Sequence, residues 1–268
     1  MLDKHIEQLS CFFFFRTLNT RSYSFVPCPQ RVAPAGRGES RRALRMEPPC
    51  SPGGCAADER SFHQGSEARV TANILLIRHA AHVELGRTLS GRRRDVALSK
   101  DGLEQAEIVG DLLGVEPITA VYSSPRERAY YTARAVAEPH EITVEVVDDL
   151  DELDFGGWTG MAFSALEGDP GWMEWNEARA TARPPGGESM EEAVRRTTAA
   201  LAVLAHDNPG RTIACVSHCD IIRGAIAFYL GLPLDNLLRF DVDPASVSRI
   251  ALGDWGARVM TLNERLYQ

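Results

Sequence analysis

Two short apolar segments, far apart in the chain, each lead into a histidine. Residues 73–77 read NILLI and are followed by Arg78 and His79, whereas residues 211–216 read RTIACV and lead through a serine to His218. Continuous apolar runs of this length are typical of strands that are buried on both faces of a parallel sheet. Ligands of such sheets bind beyond the carboxyl ends of the strands, so the pattern predicts that both histidines reach one site.

Helical and extended patterns alternate along the rest of the chain. Ser99 is a candidate N-cap for a helix that runs to about Leu113, and Ser189 with Glu192 forms a capping-box signature before an amphipathic helix. The other expected elements are strands at 119–122, 143–147, 247–251 and 257–262 and a helix at 220–230. This alternation predicts an α/β fold of three layers, α/β/α, with a mostly parallel central sheet and two late antiparallel edge strands.

A third polar motif lies between the two histidine segments. Residues 123–133 read SSPRERAYYTA, and we expect a helix there with Ser124 as its N-cap and Pro125 in its first turn. The motif contributes Arg128, and Arg78 precedes the first histidine. Guanidinium groups stay charged and present paired donors that match phosphate oxygens. Two arginines and two histidines in this arrangement therefore predict a phosphate pocket.

These motifs, in this order, resemble those of the histidine phosphatase superfamily, also called the phosphoglycerate mutase-like family, over about residues 72–263. The matching motifs are R-H at 78–79, S-S-P-x-x-R-A-x-x-T-A at 123–133, L-x-E-x-x-x-G at 150–156, F-G-x-W-x-G at 155–160, P-G-G-E-S at 185–189 and V-S-H at 216–218. The positions that depart from the family pattern are Ala80, Ala81, Thr159, Cys219 and Asp220. The resemblance implies a phosphoglycerate mutase-like fold.

The resemblance also implies roles for five residues. His79 matches the nucleophile that forms a phosphohistidine, and such a nucleophile splits one difficult displacement into two easier ones. Arg78, Arg128 and His218 match the groups that hold the phosphate. Glu152 matches the general acid that protonates the leaving alkoxide and then acts as a base on water.

Three more residues are expected to border the pocket. His82 is expected at the pocket mouth; its spacing from His79 is by itself a weak metal signal, so neither a metal nor another cofactor is expected. Arg92 opens a run of three arginines that is either a solvated charge run or a patch that steers anions. Trp158 lies with two other tryptophans in the loop-rich segment 151–187, where they either pack or form a partly apolar lid over the substrate.

Composition narrows the expected partners. A net charge of −8 argues against a general nucleic-acid binder, so the expected partner is a small-molecule phosphate ester, with neither nucleic acid nor a membrane. Only Cys215 and Cys219 of the six cysteines lie beyond residue 69, so a disulfide framework is not expected and a reducing, cytoplasmic location fits best. The sequence leaves a homodimer open, because the late strands can pair across two copies.

Residues 1–69 are expected to form a disordered extension that precedes a catalytic domain at 70–268. The extension is rich in Pro, Gly, Ser and Arg and sustains no hydrophobic period. Its apolar run at 12–15 is far shorter than the about 20 residues that a membrane-spanning helix needs. A transit peptide and a stretch foreign to the natural mature protein both stay open.

The expected function is that of a phosphomonoesterase of the histidine acid phosphatase type, acting on a small phosphorylated metabolite. The segment between Glu152 and the Gly-Gly-Glu turn at 186–188 is short. The family's mutases carry a longer insertion there, so the resemblance favours a compact phosphatase. The alternatives are a phosphoglycerate mutase, which returns the phosphoryl group to its substrate, and a catalytically weak module that binds a phospho-ligand or a protein. The complete set of His, Arg and Glu residues argues against the module.

Overall fold

The computed structural model describes residues 71–267, and the extension expected at 1–69 lies outside them. Six strands form one sheet: β1 (Thr71–Arg78), β2 (Ile118–Ser123), β3 (Val144–Val146), β4 (Thr212–Ser217), β5 (Val247–Gly253) and β6 (Gly256–Glu264). Their order in the sheet is β3-β2-β4-β1-β5-β6. Strands β1 to β4 are parallel, whereas β5 and β6 each run antiparallel to the preceding neighbour in the sheet.

The helices of the described region lie between and beside these strands. They are α1 (Lys100–Leu113), α2 (Glu127–Ala137), α3 (Phe163–Leu166), α4 (Pro170–Glu177), α5 (Met190–Asp207) and α6 (Cys219–Leu230). Short 3-10 turns occur at Glu138–His140, Asp148–Leu150, Gly156–Trp158 and Leu234–Arg239. Over residues 71–267, no helix has both the length and the apolar character that crossing a bilayer requires.

Strand β1 shows how the sequence builds both outer layers. Leu75 and Ile77 join the apolar cluster that contains α1 and α2, whereas Ile74 and Leu76 join the cluster that contains α5 and α6. Successive side chains of a strand point to opposite faces, and both faces are covered here, so the whole run is apolar. The predicted three-layer α/β/α arrangement with a mostly parallel sheet is confirmed.

Two predicted helix starts are also confirmed. Ser99 accepts a hydrogen bond from the backbone N–H of Gly102 at the start of α1. Ser189 and Glu192 form a reciprocal capping box at the start of α5. Helix α6 ends at Gly231, whose φ of 66° lies in the left-handed region that favours glycine. Capping residues satisfy backbone groups that the helix leaves unpaired, so these helix boundaries follow from the sequence itself.

Two local predictions are wrong. Helix α2 begins at Glu127 with Arg126 at its N-cap, and no side chain caps it. The hydroxyl of Ser124 lies before the helix, where it contacts the ring of His218 and accepts from the backbone N–H of Arg126 at 3.3 Å. Strand β5 lies inside the sheet between β1 and β6, so only β6 of the two late strands is an edge strand. An alternating pattern predicts that a strand pairs, but it does not say which neighbours the strand takes.

The tryptophans of the loop-rich segment build a third apolar cluster. Trp158 and Trp175 are buried, and Trp172 packs edge-on against Trp158 with 5.4 Å between ring centroids. The same cluster contains Met190 from α5 and Ile221 from α6. The structure therefore places these side chains in packing roles beside the two helices, as the packing alternative predicted.

Candidate active site

The carboxyl ends of three parallel strands meet at one edge of the sheet. Strands β1 and β4 pair so that Arg78 lies beside Ser217, and β2 lies on the other side of β4. His79 and His218 follow that residue pair directly, and Ser124 follows β2. The rings of the two histidines lie edge to face with 5.1 Å between their centroids. The predicted convergence of the two histidine segments is thus present in the structure.

Arg128 of α2 lies between the two imidazoles. Its Nε donates to Nε2 of His79 at 3.3 Å, and its Nη2 lies 3.2 Å from Nδ1 of His218. Arg78 donates from Nη1 to the carbonyl of Val242 at 2.7 Å. Nη1 of Arg128 and Nε of Arg78 are buried and have no hydrogen-bond partner within residues 71–267. Unpaired buried guanidinium donors are costly, and anion oxygens such as those of a phosphate can satisfy them.

His79 presents one ring nitrogen to Arg128 and the other to the backbone. Nδ1 lies 2.8 Å from the carbonyl oxygen of Ala80, so Nδ1 carries the proton and donates it to that oxygen. Nε2 accepts from Arg128 and therefore bears a lone pair. Burial, followed by the charges of Arg128 and Arg78, lowers the pKa of His79 well below its ordinary value. The imidazole is neutral at physiological pH, as a nitrogen nucleophile must be.

His218 is held from the side opposite Arg128. Its Nε2 lies 2.6 Å from the hydroxyl oxygen of Ser124, and its Nδ1 lies 3.7 Å from Oε2 of Glu152. The ring is fully buried, and burial followed by the charge of Arg128 lowers its pKa well below the usual value. The neutral ring carries one proton; because the guanidinium of Arg128 can only donate to Nδ1, the proton is on Nε2, which donates it to the serine hydroxyl.

Glu152 is the carboxyl group with the shifted acidity. It is 9% exposed, and its Oε1 accepts from the backbone N–H of Leu153 at 2.9 Å. Burial, with the nearby charge of Asp220 as the second cause, raises the pKa of Glu152 to about 7, although Arg128 opposes the rise. A carboxyl group with such a pKa can both donate and accept a proton near neutral pH, as a general acid and base requires.

Sequence reasoning missed an ion pair directly behind these groups. Arg126 binds Asp151 with two hydrogen bonds, from Nε at 2.8 Å and from Nη2 at 2.7 Å. The same carboxylate accepts from the backbone N–H of Glu152 at 2.8 Å and lies 3.4 Å from Oγ of Ser124. Two opposite charges on separate loops give no pairing signal in one sequence, so only the fold shows this contact.

Arg92 contacts the loop that carries the acid and is one-third exposed. Its Nε donates to the backbone carbonyl of Glu152 at 2.7 Å, and its Nη2 pairs with Glu188 at 3.0 Å. Glu188 also binds Arg196 of α5 at 2.7 Å. Arg93 pairs with a glutamate and an aspartate of its own loop. The first two arginines of the run are therefore paired side chains, unlike those of a freely solvated run.

The remaining two predicted pocket residues lie in different surroundings. The ring of His82 lies 5.4 Å from that of His79 and is 8% exposed. Burial, followed by the nearby charges of Arg128 and Arg78, lowers the pKa of His82 to about 3, so His82 is neutral and borders the centre. Trp158 is buried in the third apolar cluster, and the structure does not bring it to the two histidines.

The residues that follow His218 place additional charge beside Glu152. Asp220, in the first turn of α6, accepts from Nη1 of Arg179 at 3.0 Å and lies 4.0 Å from Arg223. Arg179 is 6% exposed and lies over the ring of Trp175 at 5.1 Å. Cys219 donates its thiol proton to a backbone carbonyl, and burial raises the pKa of that thiol.

Within the part of the chain that the structure describes, no cluster of three or more His, Cys, Asp or Glu side chains is arranged to hold a metal ion. Ala80, which stands where the family has glycine, is fully buried, and its N–H donates to Oγ1 of Thr132 at 3.0 Å. The methyl group of Ala80 joins the apolar cluster that contains Leu75 and Ile77.

Comparison with known proteins gives one consistent result. The sequence model described as the histidine phosphatase superfamily, branch 1, matches residues 74–265. A Mycobacterium tuberculosis protein described as bifunctional is 33% identical over 222 residues, which cover 80% of this chain and 57% of that relative. The chain thus spans little more than half the length of this relative.

Two further relatives are matched over nearly their whole length. Phosphoserine phosphatase 1 of Hydrogenobacter thermophilus is 30% identical over 195 residues, which cover 71% of this chain and 91% of that enzyme. The solved structure of a mycobacterial glucosyl-3-phosphoglycerate phosphatase has a TM-score of 0.65 at 26% identity, covering 72% of this chain and 99% of that one. The residues of the candidate site all lie within 74–265, the range that the family model matches.

Proposed function

The chain belongs to the histidine phosphatase superfamily, and from this premise we propose that it hydrolyses a small phosphate monoester through a phosphohistidine on His79. One observation carries the proposal. The lone pair on Nε2 of His79 faces the guanidinium of Arg128, within a buried centre that also holds His218 and an acid with a raised pKa. A nucleophile, phosphate-binding cations and a proton donor are the groups that the reaction requires.

In the first step, the lone pair of His79 forms a bond to phosphorus and the bond from phosphorus to the ester oxygen breaks. The hydrogen bond from Nδ1 to the carbonyl of Ala80 stabilises the positive charge that the ring acquires. The leaving oxygen takes the proton of Glu152, which becomes a carboxylate. Because the pKa of Glu152 is about 7, a large share of the molecules carries that proton at neutral pH.

In the second step, a water molecule attacks the phosphohistidine. Glu152, now a carboxylate, accepts a proton from that water as the new bond to phosphorus forms. The bond between phosphorus and Nε2 breaks, and its electron pair returns to the ring. Inorganic phosphate leaves, and both His79 and Glu152 regain their starting protonation states.

Two arginines are placed to stabilise the phosphoryl oxygens. Arg78 and Arg128 supply fixed charges and two buried donors without a partner in the described region. Nδ1 of His218 accepts from Nη2 of Arg128 and so holds that guanidinium in place, while Nε2 carries the ring proton and donates it to the hydroxyl of Ser124. Donors that are already in place lower the barrier because they need no reorganisation during the reaction.

The ion pairs around Asp220, the carboxylate that acts on the pKa of Glu152, favour hydrolysis over phosphoglycerate interconversion. A phosphoglycerate carries a carboxylate besides its phosphate, and binding that carboxylate requires cations that are not already paired. Arg179 pairs with Asp220, and Arg223 pairs with Asp241 at 3.2 Å, so both cations already have carboxylate partners. The relatives reported above are named for different esters, phosphoserine and glucosyl-3-phosphoglycerate, so family membership leaves the ester open.

Phosphate release from a panel of monoesters plus 3-phosphoglycerate tests the proposal. We expect release by the parent protein, none by His79→Ala, and parent-like release by His206→Ala, a control in which an exposed histidine of α5 is removed. Interconversion of phosphoglycerates without net phosphate release would instead identify a mutase. Tight binding of esters by folded parent protein without any turnover would identify a binding module.

A further inference from the structure

Three polar side chains lie next to His218 and Glu152, and none of them exchanges a proton with substrate or binds phosphate in the steps above. Ser124, Arg126 and Asp151 are called the clamp here. Ser124 and Asp151 are buried, and the side chain of Arg126 is 11% exposed. Polar groups removed from water to this extent need partners, and the partners of the clamp are informative.

Oδ1 of Asp151 accepts hydrogen bonds from two separate segments of the chain. Oδ1 of Asp151 accepts from Nε of Arg126 and from the backbone N–H of Glu152, both at 2.8 Å. The hydroxyl of Ser124 lies 3.4 Å from the same oxygen. Oδ2 accepts from Nη2 of Arg126 at 2.7 Å, which makes the ion pair bidentate. A bidentate guanidinium–carboxylate pair fixes direction as well as distance.

The clamp reaches both sides of the reacting centre. Through Ser124 it holds Nε2 of His218 at 2.6 Å, which directs Nδ1 towards Arg128. Through Asp151 it holds the N–H of Glu152. Arg126 also donates to the backbone carbonyl of Arg92, and Arg92 in turn holds the carbonyl of Glu152 at 2.7 Å. Both the backbone N–H and the backbone carbonyl of Glu152 are therefore fixed by hydrogen bonds.

We propose that the Arg126–Asp151 pair is a positioning element that sets the acid Glu152 and, through Ser124, the ring of His218 in one fixed arrangement. The proposal rests on the proposed function, since it assigns how that site is kept in order. Misplacement of catalytic groups by a fraction of an ångström costs rate rather than ground-state binding. Loss of the pair should therefore lower kcat more than it changes KM.

A merely structural ion pair makes a different prediction, and a double variant separates the two. Arg126→Leu and Asp151→Asn each leave one buried partner uncompensated, so both should lose thermal stability. Removing both charges together should restore most of the melting temperature, since buried ion pairs contribute little net stability. We expect the double variant to keep a loss in kcat of about ten- to a hundredfold with little change in KM. Recovery of parent kcat together with the melting temperature would overturn the proposal.

The tautomer of His218 provides a readout that does not depend on turnover. In the full chain with ¹⁵N-labelled histidine, the parent should show one dominant neutral tautomer, whereas Ser124→Ala and Asp151→Asn should show a mixture. Ser123→Ala is the matched control, because its hydroxyl donates to the carbonyl of Ser124 at 2.8 Å and its bonds do not include the imidazole. An unchanged His218 signal in both variants would overturn the proposal, whereas lack of turnover in the parent would refute the proposed function alone.

Discussion

Replacement of Glu152 by glutamine separates the two steps of the reaction through the choice of leaving group. Glutamine keeps the size of the side chain but neither donates an acidic proton nor accepts one from water. An alkyl ester needs the proton to leave, whereas nitrophenolate leaves without one. The first step should therefore be strongly slowed in Glu152→Gln for the alkyl ester and should proceed for the nitrophenyl ester.

The size of the effect follows from the acidity of the parent group. The pKa of Glu152 is raised to about 7, so about half of the parent molecules carry the proton at pH 7 and about one in ten at pH 8. The variant loses the proton at every pH, and general acid catalysis is worth roughly 10²- to 10⁴-fold. We expect kcat/KM for the alkyl ester to fall by that factor and to lose its decline above pH 7.

Rapid-mixing kinetics with nitrophenyl phosphate complete the test. The second step still needs a base, so Glu152→Gln should release a burst of nitrophenolate close to one equivalent per protein and then turn over slowly. Asp149→Asn, which alters an exposed carboxylate of the same segment, is the control and should behave as the parent does. Equal losses for both esters without a burst would refute the assignment of Glu152 as acid and base.

Three further changes test the charge, the packing and the domain boundary. Asp220→Asn should lower the pKa of Glu152, because the negative charge of Asp220 raises that pKa, and the alkaline limb of the pH–rate profile should move to lower pH. Asp241→Asn, which alters a more exposed carboxylate, is the control, and equal shifts in both variants would contradict the reasoning. Gly224→Ala should cost about 1–3 kcal/mol in urea unfolding, because the added Cβ would lie 2.6 Å from side-chain atoms of α5, and parent stability would contradict that tight contact. Residues 70–268 alone should keep the parent's melting temperature and phosphate release, and a large loss of either would contradict the predicted boundary.

The positions of His79 and His218 could be predicted because they depend on one general property of parallel sheets. Each residue follows a buried apolar strand, and the carboxyl ends of adjacent parallel strands lie at one edge. Arg128 lies near both histidines because its motif at 123–133 leads from β2 into helix α2. Sequence patterns of this kind predict the local strands and helices. The topology of the parallel sheet then determines which strand ends lie side by side.

The supporting residues could not be predicted for an equally physical reason. Ser124 has the chemistry of an N-cap, and its actual partner is an imidazole from a strand that lies far away in the sequence. Arg126 and Asp151 are ordinary charged residues until the fold brings their loops together. Trp158 could pack or face substrate, and the burial by neighbouring helices decides between the two. Tertiary partners of this kind leave no periodicity in a single sequence.

Trapping of the covalent intermediate is the most direct test of the account. Full-length Glu152→Gln is mixed with nitrophenyl phosphate, quenched in alkali, in which phosphohistidine survives, and digested for mass spectrometry. The account predicts a phosphoryl group on His79, close to one per protein, and none on His218. Steady phosphate release by the parent, with no phosphoryl group on His79 in either protein, would contradict it.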